Sequence, residues 1–243
     1  MPRPGSRPKK QGAASSAPAQ REGIDSSWPA LTEPLFRPFA FFKLASEVSE
    51  GDTMALDRAI LTGLRSPADP ALPIGPHWLP EAMTDFTALG SATILWLVCM
   101  AVIFYLLLGR RPWTALFVFA ATAGGIALGG LLKLIYARPR PALVSHLVDV
   151  TSSSFPSGHA TDSAIVYLTL AALLARTIPE RASRIYIIGV AILLTLLIGA
   201  SRVYLGVHWP SDVAAGWAIG AAWALGWSLV YSRIALPPPE KGR

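Results

Sequence analysis

Five stretches of this chain are apolar almost without interruption, at about residues 89–109, 113–135, 158–176, 185–205 and 212–232. Each approaches the roughly 20 residues that an α-helix needs to cross the hydrocarbon of a bilayer. The linkers between them, such as Arg110-Arg111-Pro112 and the stretch from Pro179 to Ser183, are short and suit antiparallel neighbours. A further candidate at 33–50 is weaker. Its apolar run from Leu35 to Leu44 is broken by Arg37, Pro38 and Lys43, and it reads either as a strained first span or as a helix lying in the interface. Asp52 to Arg65 predicts a short amphipathic helix, and Ser66 to Pro80 a loop rich in proline. The pattern predicts an all-α, polytopic membrane helical bundle of five clear transmembrane helices plus a weak first one, six in total. Residues 1–30 read as a disordered basic tail, 31–88 as the weak helix, amphipathic helix and outer loop, 89–232 as the transmembrane core, and 233–243 as a C-terminal tail.

Composition agrees with a membrane location. The chain is 52% hydrophobic and 15% charged, where a soluble domain carries about 25% charged residues. Its net charge of +6 fits basic loops against anionic lipid better than nucleic acid, so no nucleic-acid partner is expected. The one cysteine, Cys99, lies in an apolar run and excludes an intramolecular disulfide. The first thirty residues are basic but hold no apolar core of a secretory signal.

The basic residues then orient the bundle. Arg110, Arg111, Arg176, Arg181, Arg184, Arg233, Lys241 and Arg243 flank the spans on one side, which the positive-inside rule makes cytoplasmic. The basic N-terminal tail prefers that side too, which favours counting 33–50 as a span. Lys133, Arg138, Arg140 and Arg202 fall on the other side, against that rule. A cation deep in a span costs about 2.5–3.5 kcal/mol on insertion scales, so four cations kept on the outer side point to a bound anion.

Three segments carry the candidate chemistry. In the first, Lys133 alone reads equally as a snorkelling lysine at a helix end. Arg138 and Arg140 follow it between Pro139 and Pro141, which stiffen the loop; arginine forks suit phosphate oxygens and lysine adds a point charge. In the second, Ser157 is a candidate N-cap directly before an apolar run. The amides of Ser157 and Gly158 would face an anion at that helix start, and His159 in the first turn could protonate a leaving oxygen. In the third, Asp212 follows His208 by four residues across Pro210, so that the carboxylate can hold one ring N–H and free the other nitrogen to attack phosphorus. Arg202, after Ser201, can reach the same phosphate. A His-Asp pair is also a common structural hydrogen bond, and His208-Trp209 could be an interfacial anchor.

The pattern Lys-x6-Arg-Pro, Pro-Ser-Gly-His and Ser-Arg-x5-His-x3-Asp resembles that of the type 2 phosphatidic acid phosphatase superfamily. It is matched by Lys133, Arg140-Pro141, Pro156 to His159, Ser201-Arg202, His208 and Asp212. The resemblance implies a hydrolase of lipid phosphates that needs no metal or other cofactor. It also implies that His208 forms a phosphohistidine, that Asp212 orients it, and that His159 serves as acid and then base. Lys133, Arg140, Arg202, Ser157 and Gly158 would hold the phosphoryl group, with Arg138 and Ser201 as accessory positions. Expected substrates are polyprenyl pyrophosphate, phosphatidylglycerol phosphate or phosphatidic acid, met at the outer face of an inner or plasma membrane with both tails cytoplasmic.

A non-enzymatic lipid-phosphate or anion binder or transporter would explain the arginines but not the His-Asp pair beside a second histidine. A vanadate-dependent haloperoxidase shares the motif pattern, but that group is soluble as a rule. Asp162 reads either as a helix-dipole partner or as a counter-charge to a site arginine. His146 reads as a lone loop histidine, with the entrance of the site as its alternative. Gly124, Gly125, Gly129 and Gly130, and the Gly216-x3-Gly220 pair, read as close helix-packing positions.

Overall fold

A computed structural model describes residues 38–234. The tail at 1–30, the start of the first candidate helix and the residues from 235 onward lie outside the described residues. Eight helices follow in order: α1 (Pro38–Glu50), α2 (Met54–Gly63), α3 (Leu79–Ala88), α4 (Ala92–Leu108), α5 (Pro112–Tyr136), α6 (Gly158–Ala175), α7 (Arg181–Tyr204) and α8 (Pro210–Ile234). Among the described residues there is no strand, only one isolated antiparallel bridge between Arg65 and Pro73 in the proline-rich loop.

Local chemistry sets the helix ends. The Ser91 side chain accepts from the Ile94 amide and opens α4. Proline at the first positions of α5 and α8 has no N–H to leave unsatisfied. α5 stops at Ala137, whose φ of 41° is left-handed, with Pro139 and Pro141 just beyond.

Helices α5, α6, α7 and α8 are each long and apolar enough to cross a membrane. The run expected at 89–109 is shaped differently: α3 and α4 meet at a bend of 45° and reach span length only when taken together. The described part of the first candidate helix, α1, has 13 residues, short of the roughly 20 required. Six spans are expected; among the described residues four helices reach span length, or five with the bent pair. The described part of α1 packs along α8, burying Phe41, Ala45 and Val48 against Phe155 and Ala215.

α6 is the centre of the bundle, packed by α8, α7 and α5. Small residues let α8 approach it. A Cβ added at Gly216 would come within 2.9 Å of the Ser157 carbonyl, and one at Gly220 within 2.6 Å of Ala164 Cβ. Both indoles beside these contacts are satisfied: Trp217 Nε1 donates to Thr195 O at 3.0 Å and Trp223 Nε1 to Ala121 O at 2.7 Å.

Candidate active site

The end of α5, the start of α6, the end of α7 and the start of α8 meet at one end of the bundle, where α3 packs on α7. A cavity of about 250 Å³ lies among them. Its wall includes Lys133, Arg140, Gly158, His159, Arg202 and His208, with Thr87 of α3 and residues 148–152 of the α5–α6 connection. Six of the residues expected from sequence thus share one cavity, with Asp212 directly behind His208.

Each cation is fastened by its neighbours. Lys133 Nζ donates to Ser153 O at 2.8 Å, while Ser153 Oγ donates back to Lys133 O at 2.9 Å. Arg140 Nε donates to Ser152 O at 2.7 Å and its Nη1 to Val207 O at 2.6 Å. Arg202 is 4% exposed, and its Nη1 donates to Thr87 Oγ1 at 2.9 Å. Its buried Nε has no partner among the described residues. These contacts hold long side chains in place before any ligand arrives, which lowers the ordering cost of binding.

His208 follows the turn that closes α7, where Gly206 adopts a positive φ of 78°. Arg140 Nη1 stands 3.2 Å from His208 Nε2. A guanidinium only donates, so Nε2 is the acceptor and Nδ1 carries the proton. That proton faces Asp212 Oδ2 and Ser154 Oγ, each at 3.4 Å. Ser154 Oγ in turn donates to Asp212 Oδ2. The carboxylate, fully buried, also accepts from the Trp209 amide at 2.9 Å and from Arg138 Nη1 at 2.5 Å. Burial pushes His208 down to about 4, with Arg140 and Arg202 adding to the shift and Asp212 opposing it. Burial likewise holds Arg140 below the usual guanidinium range, with Asp212 opposing. His208 is therefore a neutral imidazole near pH 7, with its Nε2 lone pair on the cavity side and engaged by Arg140 Nη1.

Three expected positions do different work. Arg138 is not on the cavity: it is 9% exposed, lies 5.5 Å over the Trp209 ring, and is engaged by Ser211, Asp212 and Asp57. Ser201 is buried, and its hydroxyl donates to Ile198 O at 2.7 Å. Ser157 starts α6 as expected, but its side chain makes no cap bond, and its amide donates to Asp212 O at 3.0 Å rather than to a cavity ligand. The anion-facing amides of this helix start are thus left to Gly158 and His159. Trp209 is buried and donates to Pro139 O at 3.1 Å, so it is no interfacial anchor. His146 pairs with Pro141 O at 2.7 Å and is not among the cavity-lining residues. Asp162 lies beside Gly129 and also lines no part of the cavity.

Sequence reading missed Ser154, Thr87 and Asp57. Ser154 lies within the second segment, but nothing in its spacing marks it. Thr87 precedes the apolar run and reaches Arg202 only through the α3–α4 bend. Asp57 carried a legible signal: it sits between Met54 and Leu61 on the apolar stripe of α2, where a carboxylate requires a buried partner. Among the described residues no three His, Cys, Asp or Glu side chains converge as a metal site.

Comparison with known proteins fits this arrangement. Residues 112–235, about half of the chain, match the PAP2 superfamily. The chain is 33% identical over 186 residues to phosphatidylglycerophosphatase B of Bacillus subtilis (strain 168), covering 75% of this chain and 87% of that one. It is 29% identical over 194 residues to lipid A 1-phosphatase of Rhizobium etli, covering 68% and 78%. The crystal structure of a transmembrane PAP2 type phosphatidylglycerolphosphate phosphatase from Bacillus subtilis superposes with a TM-score of 0.72 at 29% identity, covering 81% of this chain and 94% of that chain. Motif, helical architecture and relatives agree, and the chain belongs to the PAP2 superfamily as a membrane phosphoric ester hydrolase of its lipid phosphatase branch.

Proposed function

We propose that this enzyme removes the terminal phosphate of a lipid phosphate or pyrophosphate through a phosphohistidine on His208, at the outer face of the membrane. The observation that carries the reading is the setting of His208: Nδ1 stands 3.4 Å from Asp212 Oδ2, and the residue lines a cavity shared with Lys133, Arg140 and Arg202.

In this scheme the three cations and the Gly158 and His159 amides hold the phosphoryl oxygens. Arg140 moves its Nη1–H from His208 Nε2 to a phosphoryl oxygen, which frees the lone pair. Nε2 attacks the terminal phosphorus, its bond to the leaving oxygen breaks (the ester oxygen of a monophosphate, the bridging oxygen of a pyrophosphate), and His159 gives that oxygen a proton. Positive charge on the His208 ring is met by Asp212. Water then attacks phosphorus, His159 takes its proton, the P–N bond breaks, and inorganic phosphate leaves. The donor set supports a reaction without a metal, because a cavity lined by three cations repels a divalent ion and the adjacent carboxylate is already engaged by Arg138, Ser154 and the Trp209 amide.

A lipid substrate suits a site at the ends of membrane helices, where acyl or prenyl chains remain in the bilayer. Phosphatidylglycerol phosphate ranks first, because a relative aligned over 75% of this chain is a phosphatidylglycerophosphatase. Polyprenyl pyrophosphate and phosphatidic acid are the other two candidates. The outer face is favoured by Arg110, Arg111, Arg176, Arg181, Arg184 and Arg233, which flank the helix ends opposite the cavity.

The test is phosphate release by the detergent-purified protein from these three lipids in EDTA, beside His208→Ala. Release that persists in chelator and falls by at least about a thousandfold in the variant is expected, as for loss of a covalent nucleophile. Turnover retained by folded His208→Ala would remove the phosphohistidine reading.

A further inference from the structure

Asp57 stands 154 positions before Ser211 in the chain, yet the two are bonded twice. It lies on α2, is 1% exposed, and falls outside the residues matched to the family. Its neighbours along α2, Met54 and Leu61, pack into an apolar cluster with Val203, Trp209 and Val213. A carboxylate in such a setting is tolerated only when it is fully paired, and this one is. Oδ1 accepts from the Ser211 amide at 2.9 Å. Oδ2 accepts from Ser211 Oγ at 2.5 Å, Arg138 Nη2 at 3.0 Å and Thr53 Oγ1 at 3.2 Å.

Two of these bonds lead to the His208 partner. The Ser211 amide belongs to the first turn of α8, where no intrahelical acceptor exists, so Asp57 caps from another helix the turn that carries Asp212. Arg138 is a fork between two acids: Nη1 donates to Asp212 Oδ1 at 2.5 Å and Nη2 to Asp57. Neither Asp57 nor Arg138 lines the cavity.

We propose that Asp57 is a positioning residue for the reaction, fixing Asp212 through Arg138 and Ser211 and leaving the two acids and one guanidinium with a net negative charge beside His208. The proposal rests on His208 being the nucleophile. One guanidinium divided between two carboxylates neutralises neither. Removing the Asp57 charge lets Arg138 neutralise Asp212, which weakens the field that favours positive charge on the ring as the P–N bond forms. The other charged or titratable groups around His208 are Lys133 of α5, Arg140 after it, Asp149 of the α5–α6 connection, His159 of α6 and Arg202 of α7, and none of them is altered by the substitution.

The experiment compares wild type, Asp57→Asn, Ser211→Ala and His208→Ala, full length in detergent, on phosphatidylglycerol phosphate from about pH 3 to about pH 8 around the His208 titration, with thermal unfolding as a check of folding. Folded Asp57→Asn is expected to lose about 10–100-fold in kcat, by analogy with outer partners of metal ligands, which orient a side chain in the same indirect way. KM should stay within about twofold of wild type. The acid limb of kcat should move to lower pH, because a negative charge near the imidazole has gone. A loss of stability alone would lower the active fraction and leave the limb in place, and that result overturns the proposal, as does wild-type turnover. Ser211→Ala carries the test if Asp57→Asn does not fold. It must lower kcat by at least about threefold at unchanged KM, and wild-type turnover in it sinks the proposal. If His208→Ala is active, the nucleophile reading falls. If it is inactive while Asp57→Asn turns over like wild type, only the role of Asp57 falls.

Discussion

At the scale of a residue, the ring of His208 is held between a carboxylate that favours its charge and arginines that oppose it. Burial decides the balance, and the folded protein refuses a proton down to about pH 4. An unfolded histidine accepts one near 6.5. Between those values the unfolded state binds more protons than the folded one, so stability from this group is full above about pH 6.5 and is lost as pH falls toward 4. Comparing wild type with His208→Gln isolates the effect without substrate. From pH 7.5 to 4.5 the thermal midpoint of wild type is expected to fall by about 5–10 °C more than that of the variant. Equal falls would mean that the ring is solvated and its proton affinity ordinary. Asp212 was legible from sequence because four residues across a helix-starting proline place it beside His208 whatever the rest of the chain does. Arg138 was not, since its loop position fits the cavity equally well, and its bonds to Ser211, Asp212 and Asp57 hold it behind the site instead.

At the scale of the element, α6 and α8 carry His159 and Asp212 at adjoining ends, and their glycine contact sets how close those ends stand. A Cβ at Gly220 would meet Ala164 Cβ at 2.6 Å and the Thr161 carbonyl at 2.7 Å, neither of which can swing aside. Gly220→Val must therefore push the helices apart, an overpacking cost of about 1–3 kcal/mol. The expected result is a thermal midpoint lower by several degrees and a fall in kcat of at least about tenfold, the size of effect that misplacement by an ångström brings. Gly226→Val is the control, because its Cβ meets nothing within 4 Å. Similar losses in both would show that any valine in α8 is harmful and that the contact is not special. The Gly216-x3-Gly220 spacing was readable as a packing face, as were the bounds of α5 to α8, because apolar runs of that length admit little else. The bend between α3 and α4 was not. Gly90-Ser91 allows a break there and Ser91 caps α4, but the angle goes with the fit of Gly90 against Ile198 and His159, a contact between distant parts of the chain.

At the scale of the whole molecule, the two ends of the bundle differ in kind. One end gathers Lys133, Arg140 and Arg202 around a cavity; the other carries arginines at its turns, with Arg176 donating to Ser228 O and lying over Tyr231. The proposed topology-setting arginines and the proposed anion-binding ones share a composition, and position along the spans separates them. The weak first segment could not be settled that way. Its length falls between an interfacial helix and a span, and the described part, α1, packs on α8 at only 13 residues. Sidedness is nevertheless testable independently of α1. Cys99 is buried and is the chain's single cysteine, so a cysteine introduced at an exposed position reports alone. Asp149 is an exposed residue of the cavity wall, and Arg181 is exposed at the opposite end, at the start of α7. In intact cells a membrane-impermeant maleimide is expected to label Asp149→Cys, and to label Arg181→Cys only after the membrane is opened. The reverse pattern would put the phosphate site on the cytoplasmic face and would mean that the arginine-rich end does not govern orientation here. Labelling of both in intact cells would mean that the protein inserts both ways, and lipid phosphate on either leaflet would then be within its reach.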